Sequence, residues 1–308
     1  MQAAQFTRFG VPEVLQLVEL PEPHPGPGEV RIAVRAAGVN ASDWKKRRGE
    51  MDPELPQTLG YEAAGIVDEV GEGVTDAALG DRVYGFADGS AQAELAVLSS
   101  YAPIPAGLDF PDAAALPAAA ETAARALDQL GLGRTDARSS ANRPFTLLIS
   151  GASGNVGSAA VQLAVARGAR VIGTASAAKQ DYVRSLGAEP VVYGDGLSQR
   201  VHELAPDGVD LALDVAGSGI LPELIALAGG ADHVITVADF LGARDTGVRF
   251  SRGDAGRALY VLDELALLIG DGRYAVPGIQ TFPLADIAEA HRVGESVQAR
   301  GKLVLTVG

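Results

Sequence analysis

The 308 residues carry 39 acidic against 25 basic side chains, a formal net charge of −14, which argues against nucleic acid or an anionic membrane as the main partner, since both polyanions select basic surfaces. There is no cysteine, so disulfides and thiolate metal sites are excluded outright. Hydrophobic residues make up 47% and mean hydropathy is +0.14, enough apolar material for two domains with well-buried cores and little disorder.

Residues 28–35 alternate apolar and polar side chains, as a half-buried antiparallel strand does. Residues 65–70 and 93–97 read as further strands, separated by Gly-Glu-Gly and Leu-Gly-Asp turns, so the first part of the chain is expected to be mainly β and able to close a small barrel. From Asp112 the composition shifts to an alanine-rich helix over 113–130, with a domain boundary near Leu116, and a polar loop follows over 133–143. An apolar strand over 146–150 then runs into Gly151-Ala152-Ser153-Gly154-Asn155-Val156-Gly157 and a helix. Ala152, Gly154 and Gly157 stand in the three glycine places of a G-x-G-x-x-G turn, which aims backbone N–H groups at a phosphate. A tight strand-to-helix turn without a ligand would carry the same glycines. A second strand at 171–174, however, completes a βαβ unit of the length that dinucleotide binding uses. Strands at 190–193, 209–215 and 233–237 alternate with helical segments, the cadence of a doubly wound parallel sheet, and 301–307 is one more strand. No basic-then-apolar opening segment and no run of about eighteen apolar residues occurs, so a cytoplasmic protein with a small-molecule partner is expected, with neither nucleic acid nor membrane.

Several short motifs occur together in a specific order: Pro27-Gly28-Glu29-Val30, Ala37-Gly38-Val39-Asn40-Ala41-Ser42-Asp43-Trp44, Leu59-Gly60-Tyr61-Glu62-Ala63-Ala64-Gly65, Gly80-Asp81-Arg82-Val83, Ala115-Leu116-Pro117, the glycine turn, and Gly301-Lys302-Leu303-Val304-Leu305. Over nearly its whole length the chain thereby resembles the medium-chain dehydrogenase/reductase superfamily, and within it the zinc-free quinone oxidoreductase branch. The resemblance implies an α/β architecture: a chaperonin-10-like, mainly β substrate domain over 1–116 and 284–308, and a Rossmann domain with a doubly wound parallel sheet over 117–283. It also implies that the last strand returns to the first domain, that nicotinamide meets substrate in a cleft between the domains, and that the protein is a homodimer joined edge to edge through its Rossmann sheets.

Zinc-dependent members of the superfamily have cysteine where this chain has Asn40 and histidine where it has Tyr61. Asn40, Tyr61 and Glu62 do not make the set of about three thiolate, imidazole or carboxylate ligands that a catalytic zinc needs. Without a Lewis acid, hydride addition to a quinone or an α,β-unsaturated carbonyl is the expected chemistry, because the developing charge is delocalised and hydrogen-bond donors can meet it. The end of the second Rossmann strand holds no carboxylate until Asp181, which favours NADPH over NADH. By family position Ser153, Gly154, Asn155, Val156 and Gly157 cradle the pyrophosphate, Ser176 and Lys179 meet the 2′-phosphate, and Tyr193 closes over the ribose or adenine. Thr122, Ala238 and Phe240 belong to the nicotinamide side, and Asn40, Asp43 and Tyr61 are the catalytic candidates.

Each candidate has a structural alternative. Asn40 and Asp43 are good caps for the short helix through Trp44; Thr122 can back-bond to its own helix; Lys179 can be a solvated surface lysine; Tyr193 and Tyr61 can be packing tyrosines. Met51 stands where many quinone and enoyl reductases carry a tyrosine that donates to the substrate oxygen, which leaves Tyr61 or water as the proton donor. Specificity is expected from the loops 47–57 and 244–254. Two alternatives to a quinone or enone reductase remain: a specialised enoyl reductase acting on a biosynthetic, carrier-tethered intermediate, and a dinucleotide-binding sensor without turnover.

Overall fold

The alternating pattern at the start of the chain folds into strands and the apolar runs of the second half into a parallel sheet, as seen in a computed structural model that describes residues 1–133, 143–253, 256–296, 299 and 301–308. Of the polar loop expected over 133–143, residues 134–142 lie outside the described residues, as does Asp254 of the second loop. The strands are β1 (Gln2–Phe6), β2 (Gln16–Glu19), β3 (Val30–Val39), β4 (Gln57–Thr58), β5 (Glu62–Val70), β6 (Arg82–Ala87), β7 (Leu95–Pro103), β8 (Thr146–Ser150), β9 (Arg170–Ala175), β10 (Glu189–Val192), β11 (Leu211–Asp214), β12 (Val234–Thr236), β13 (Arg249–Phe250), β14 (Ile279–Pro283) and β15 (Lys302–Thr306). The helices are α1 (Ala41–Arg47), α2 (Phe110–Ala114), α3 (Pro117–Gln129), α4 (Asn155–Ala166), α5 (Gln180–Ser185), α6 (Leu197–Leu204), α7 (Leu221–Ala228), α8 (Phe240–Thr246), α9 (Val261–Gly270) and α10 (Ile287–Gly294). The chain divides into one compact unit of Met1–Ala118, Leu262–Gly270 and Val276–Gly308, and a second of Ala119–Val261 and Asp271–Ala275.

In the first unit the main sheet runs β14-β15-β3-β5-β6-β7, and β7 also pairs with β3, so β3, β5, β6 and β7 close a small barrel. Closure leaves these four strands without a free edge. The inward side chains Val30, Ile32, Val34, Val67, Val83 and Leu98 are buried and form its core. β15 lies antiparallel to β3 with Leu303 opposite Val39, so the last strand returns to the first unit.

One helix expected over 113–130 is instead two, α2 and α3, separated at Ala115 and Leu116. The cause is Pro117: it lacks the N–H that would bond back into the preceding turn and its ring crowds that turn, whereas at the first position of α3 neither matters. The loop expected over 244–254 is also corrected in part, because residues 244–246 complete α8 and Arg249–Phe250 pair with β12 as β13.

The second unit carries a sheet in the order β10-β9-β8-β11-β12-β13, every pairing parallel. β8 is buried along its whole length, and Leu147, Leu148 and Ile149 are each 0% exposed, burial that contributes about 1.5–3 kcal/mol apiece. With β8 flanked by β9 on one side and β11 on the other, the connections leave in opposite directions there. Open α/β sheets bind ligands at such a switch point, beyond the C-terminal ends of the strands.

Candidate cofactor and substrate site

The glycine turn joins the C-terminal end of β8 to α4. Gly151 has φ +88°, in the left-handed region that glycine enters without strain, and its N–H donates to Thr174 Oγ1 at 2.9 Å, bracing the turn against β9. A Cβ on Gly157 would lie 2.1 Å from Gly151 O and 2.8 Å from Ala152 Cα, so only glycine lets the helix sit this close to the turn. Ala152 replaces the usual first glycine without a clash because Gly173 faces it, where a Cβ would come within 2.7 Å of the Ala152 methyl. Gly154, the N-cap of α4, is exposed, and a Cβ there would touch only Gly151 O at 3.5 Å. The first helical N–H to find an acceptor is that of Ser158, on Gly154 O, so the N–H groups of Asn155, Val156 and Gly157 have no acceptor within the helix. An open approach over Gly154, with outward N–H groups at a helix N-terminus, fits the pyrophosphate of a dinucleotide.

Other candidates follow neighbouring strand ends along the same edge. Ser176, half-buried, directly follows β9, and Lys179 beyond it is exposed, with its ammonium 5.7 Å from the centre of the Tyr182 ring. Tyr193 comes directly after β10 and is 56% exposed. Ala238 and Phe240 follow β12; Phe240 is 50% exposed, meets Phe250 edge-on at 5.4 Å and lies under the Arg252 guanidinium at 5.5 Å. Thr122 stands half-buried on α3 and not at a strand end.

In the first unit Asn40 is the N-cap of α1, in extended conformation (φ −126°, ψ 161°), and its N–H donates to Asp43 Oδ2 at 2.7 Å. The capping expected as an alternative role for the Asn40–Asp43 pair is thus present. The Asn40 amide itself is bonded elsewhere: Nδ2 donates to Glu62 Oε1 at 2.8 Å, and Oδ1 accepts from Lys302 Nζ at 2.5 Å. Lys302 Nζ also donates to Glu62 Oε1 at 2.5 Å, and Glu62 Oε2 accepts from Ala118 N–H at 2.6 Å. Both charged side chains are fully enclosed, with 1% and 0% exposure. A Cβ on Gly38 would fall 2.1 Å from Glu62 Oε1, so that glycine makes room for the carboxylate.

Asp43 is 0% exposed, accepts from Gln92 Nε2 at 3.3 Å, and keeps Oδ1 without a hydrogen-bond partner among the described residues. Burial raises its carboxyl to about 7, and the nearby Glu62 adds to this, against the lowering effects of the Asn40 N–H and the Lys302 charge. Tyr61 is half-buried, and no described residue bonds to its hydroxyl. Burial, then the charges of Asp43 and Asp52, push its phenol up to about 12. Met51 is 53% exposed.

Glu62 and Lys302 stand within the sequence motifs, Glu62 with no expected role beyond that of an inadequate zinc ligand and Lys302 with none. The available signal was their chemistry, a lysine opening an otherwise apolar strand and a glutamate opening another, since charged residues at such places are buried only when paired.

Residues 26–105 match the model of the alcohol dehydrogenase GroES-like domain, and residues 155–238 that of the zinc-binding dehydrogenases. The chain is 32% identical to the chloroplastic NADPH-dependent alkenal/one oxidoreductase of Arabidopsis thaliana, over 99% of this chain and 79% of that protein. It is 36% identical to the spectinabilin polyketide synthase protein NorB of Streptomyces orinoci, over 91% of this chain and 13% of that protein; the chain spans only 5–13% of the polyketide synthase proteins it matches. The crystal structure of Escherichia coli quinone oxidoreductase complexed with NADPH superposes with a TM-score of 0.81 at 26% identity, covering all of both chains.

The zinc that the second family description implies does not fit this donor set. Glu62 is the one carboxylate among Asn40, Tyr61 and Glu62, and the Lys302 ammonium already lies 2.5 Å from both the Glu62 and Asn40 oxygens, where a second cation would be repelled. No group of three His, Cys, Asp or Glu side chains among the described residues is gathered so as to hold a metal ion.

Proposed function

The chain belongs to the medium-chain dehydrogenase/reductase superfamily, a family of NAD(P)-binding oxidoreductases, and on that premise we propose that it is an NADPH-dependent, zinc-independent reductase of quinones or α,β-unsaturated carbonyls. The observation that carries this is the Asn40–Glu62–Lys302 network, in which an ammonium is bonded to oxygens of two of the three residues at the zinc-ligand positions. With no Lewis acid to polarise an isolated carbonyl, a conjugated acceptor is the better match.

Bound NADPH supplies the hydride. The N–H groups of Asn155 and Val156 hold the pyrophosphate, with Ser153 and Gly154 forming the open approach to them and Gly157 keeping the helix close to the turn; the Gly154 N–H itself is taken by Gly151 O at 3.1 Å. Ser176 and Lys179 bind the 2′-phosphate, supported by the absence of a carboxylate at the end of β9. Tyr193 covers the ribose or adenine, and Thr122, Ala238 and Phe240 take the nicotinamide end. Asn40 and Asp43 shape the substrate loop. Tyr61 holds its proton throughout the neutral range, its phenol lying at about 12, and so donates a hydrogen bond to the oxygen on which negative charge develops. A homodimer joined through the edges of the second-unit sheet belongs to the same proposal.

A second reading, a specialised enoyl reductase on a biosynthetic intermediate, is favoured by Met51 in the donor tyrosine's usual place and by the similarity to polyketide synthase proteins. Stopped-flow oxidation of NADPH with a panel of quinones and enones is the test. Turnover with quinones but not enones supports the first reading over the second, and a protein that binds NADPH yet oxidises it with no acceptor sinks both.

A further inference from the structure

Beyond the residues placed against the cofactor, a pair of fully buried polar side chains ties together loops at the switch-point edge. Asp214 ends β11, Thr236 ends β12, they face one another in the strand register, and each is 0% exposed. Asp214 Oδ1 accepts from the N–H groups of Ala216 and Gly217, both at 3.1 Å, and Oδ2 accepts from the Thr236 hydroxyl at 2.8 Å. Thr236 Oγ1 in turn accepts from the N–H groups of Ala238 at 3.1 Å and Asp239 at 3.0 Å. One carboxylate and one hydroxyl thus fix four backbone N–H groups on two loops.

Those loops are packed against each other and against the glycine turn. A Cβ on Gly217 would lie 3.0 Å from the Ala238 methyl, and a Cβ on Gly151 would lie 3.1 Å from the Ala216 methyl. Asp239 continues the chain of contacts, its Oδ1 accepting from Gly242 N–H at 2.8 Å to cap the helix that begins with Phe240. The series therefore runs without a gap from Gly151 through Ala216, Gly217 and Ala238 to Phe240. Packing alone does not ask for an aspartate here, since an enclosed carboxylate is costly unless its bonds are needed.

We propose that Asp214 and Thr236 are positioning residues for the nicotinamide half of the bound dinucleotide: through the loops they tie together, they hold Ala238 and Phe240 at a set distance from the pyrophosphate cradle. The inference rests on the dinucleotide-binding function proposed above and goes further by assigning the spacing between the two halves of that site to two residues that need not touch the ligand.

The test compares Thr236→Val, which keeps the shape and removes the hydroxyl, with Thr236→Ser, which keeps the hydroxyl. NADPH and 2′,5′-ADP, its adenosine half, are titrated calorimetrically against each protein. Thr236→Val is expected to weaken NADPH roughly tenfold, the scale of one buried hydrogen bond to a charged group, with 2′,5′-ADP unchanged within about twofold and Thr236→Ser near wild type. Equal weakening of both ligands, no weakening of NADPH, or a serine variant as poor as the valine variant overturns the proposal. If Thr236→Val fails to fold, Asp214→Asn must show the same split between the two ligands, and its absence likewise overturns the proposal. A wild-type protein that binds neither ligand refutes the dinucleotide site itself, whereas one that binds both leaves the variants to decide the positioning role.

Discussion

Replacing Lys302 by methionine tests the enclosed network directly. The substitution keeps a stem of similar length but removes the ammonium, leaving the Glu62 carboxylate, 0% exposed, with neutral partners only: the Ala118 N–H and the Asn40 amide. Breaking a buried ion pair from one side costs about 3–5 kcal/mol, because the surviving charge keeps its desolvation penalty and loses its counterion. Taking a urea dependence of about 3 kcal/mol per molar, the unfolding midpoint should fall by roughly 1–1.7 M. Trp44, the single tryptophan, lies on α1 in the unit that holds Lys302 and reports that unit by fluorescence. Adding Glu62→Gln to Lys302→Met removes the orphaned charge, so the double variant should be more stable than Lys302→Met alone. A midpoint lowered by less than about 0.3 M, or a double variant whose loss equals the sum of the two singles, refutes the assignment of the network as a mutually dependent buried pair.

Asp43 gives a pH-dependent signature. Its folded-state carboxyl lies at about 7 against an ordinary 3.8, so the stability it contributes is fully present below about pH 4 and is lost as pH rises through about 7, by up to about 4 kcal/mol. The Asp43→Asn variant should lack that decline, and a difference in urea midpoint from wild type that stays flat between pH 4 and 8 contradicts it. Gly154→Ala and Gly157→Ala should separate: the first leaves the melting temperature near wild type and weakens NADPH, while the second also destabilises by about 1–3 kcal/mol, because its Cβ would meet backbone at 2.1 Å. Calorimetric titration with scanning of both variants checks this, and equal melting temperatures contradict it. Lys179→Ala should weaken NADPH about tenfold and leave NADH unchanged, as expected for loss of one cation beside a 2′-phosphate; parallel loss for both cofactors removes Lys179 from that role.

Much of the fold was legible because it depends on local pattern. The alternation at 28–35 marks β3, and the apolar run before Gly151 marks β8, the strand buried on both faces. The break between α2 and α3 was also written locally, in Pro117, but alanine on both sides masks it in a composition-based reading. The polar network was hidden for a different reason. Lys302 and Glu62 are 240 residues apart, and they meet only because β15 pairs with β3 in one register and β3 with β5 in another, with Gly38 leaving space between. No spacing rule along the chain encodes that meeting. For Asn40 and Asp43 the sequence offered capping or catalysis; the Asp43 carboxylate caps the Asn40 N–H, while the Asn40 amide turns instead to Glu62 and Lys302, a partnership that no local pattern encodes. In the sequence Asp214 and Thr236 read as ordinary strand residues, since their hydrogen bonds go to the loops that follow them.

The return of β15 to β3 has a consequence during synthesis. The first unit is discontinuous: most of it is made early, yet the strand bearing Lys302 emerges only after all of the second unit. The second unit, apart from Asp271–Ala275, is one continuous stretch and can reach its parallel sheet first on the ribosome. Until β15 arrives, Glu62 lacks the Lys302 cation, and residues 36–39 of β3, beyond the stretch that pairs with β7, have one unpaired edge. A ribosome halted before residue 302 would therefore leave that edge open to other strands.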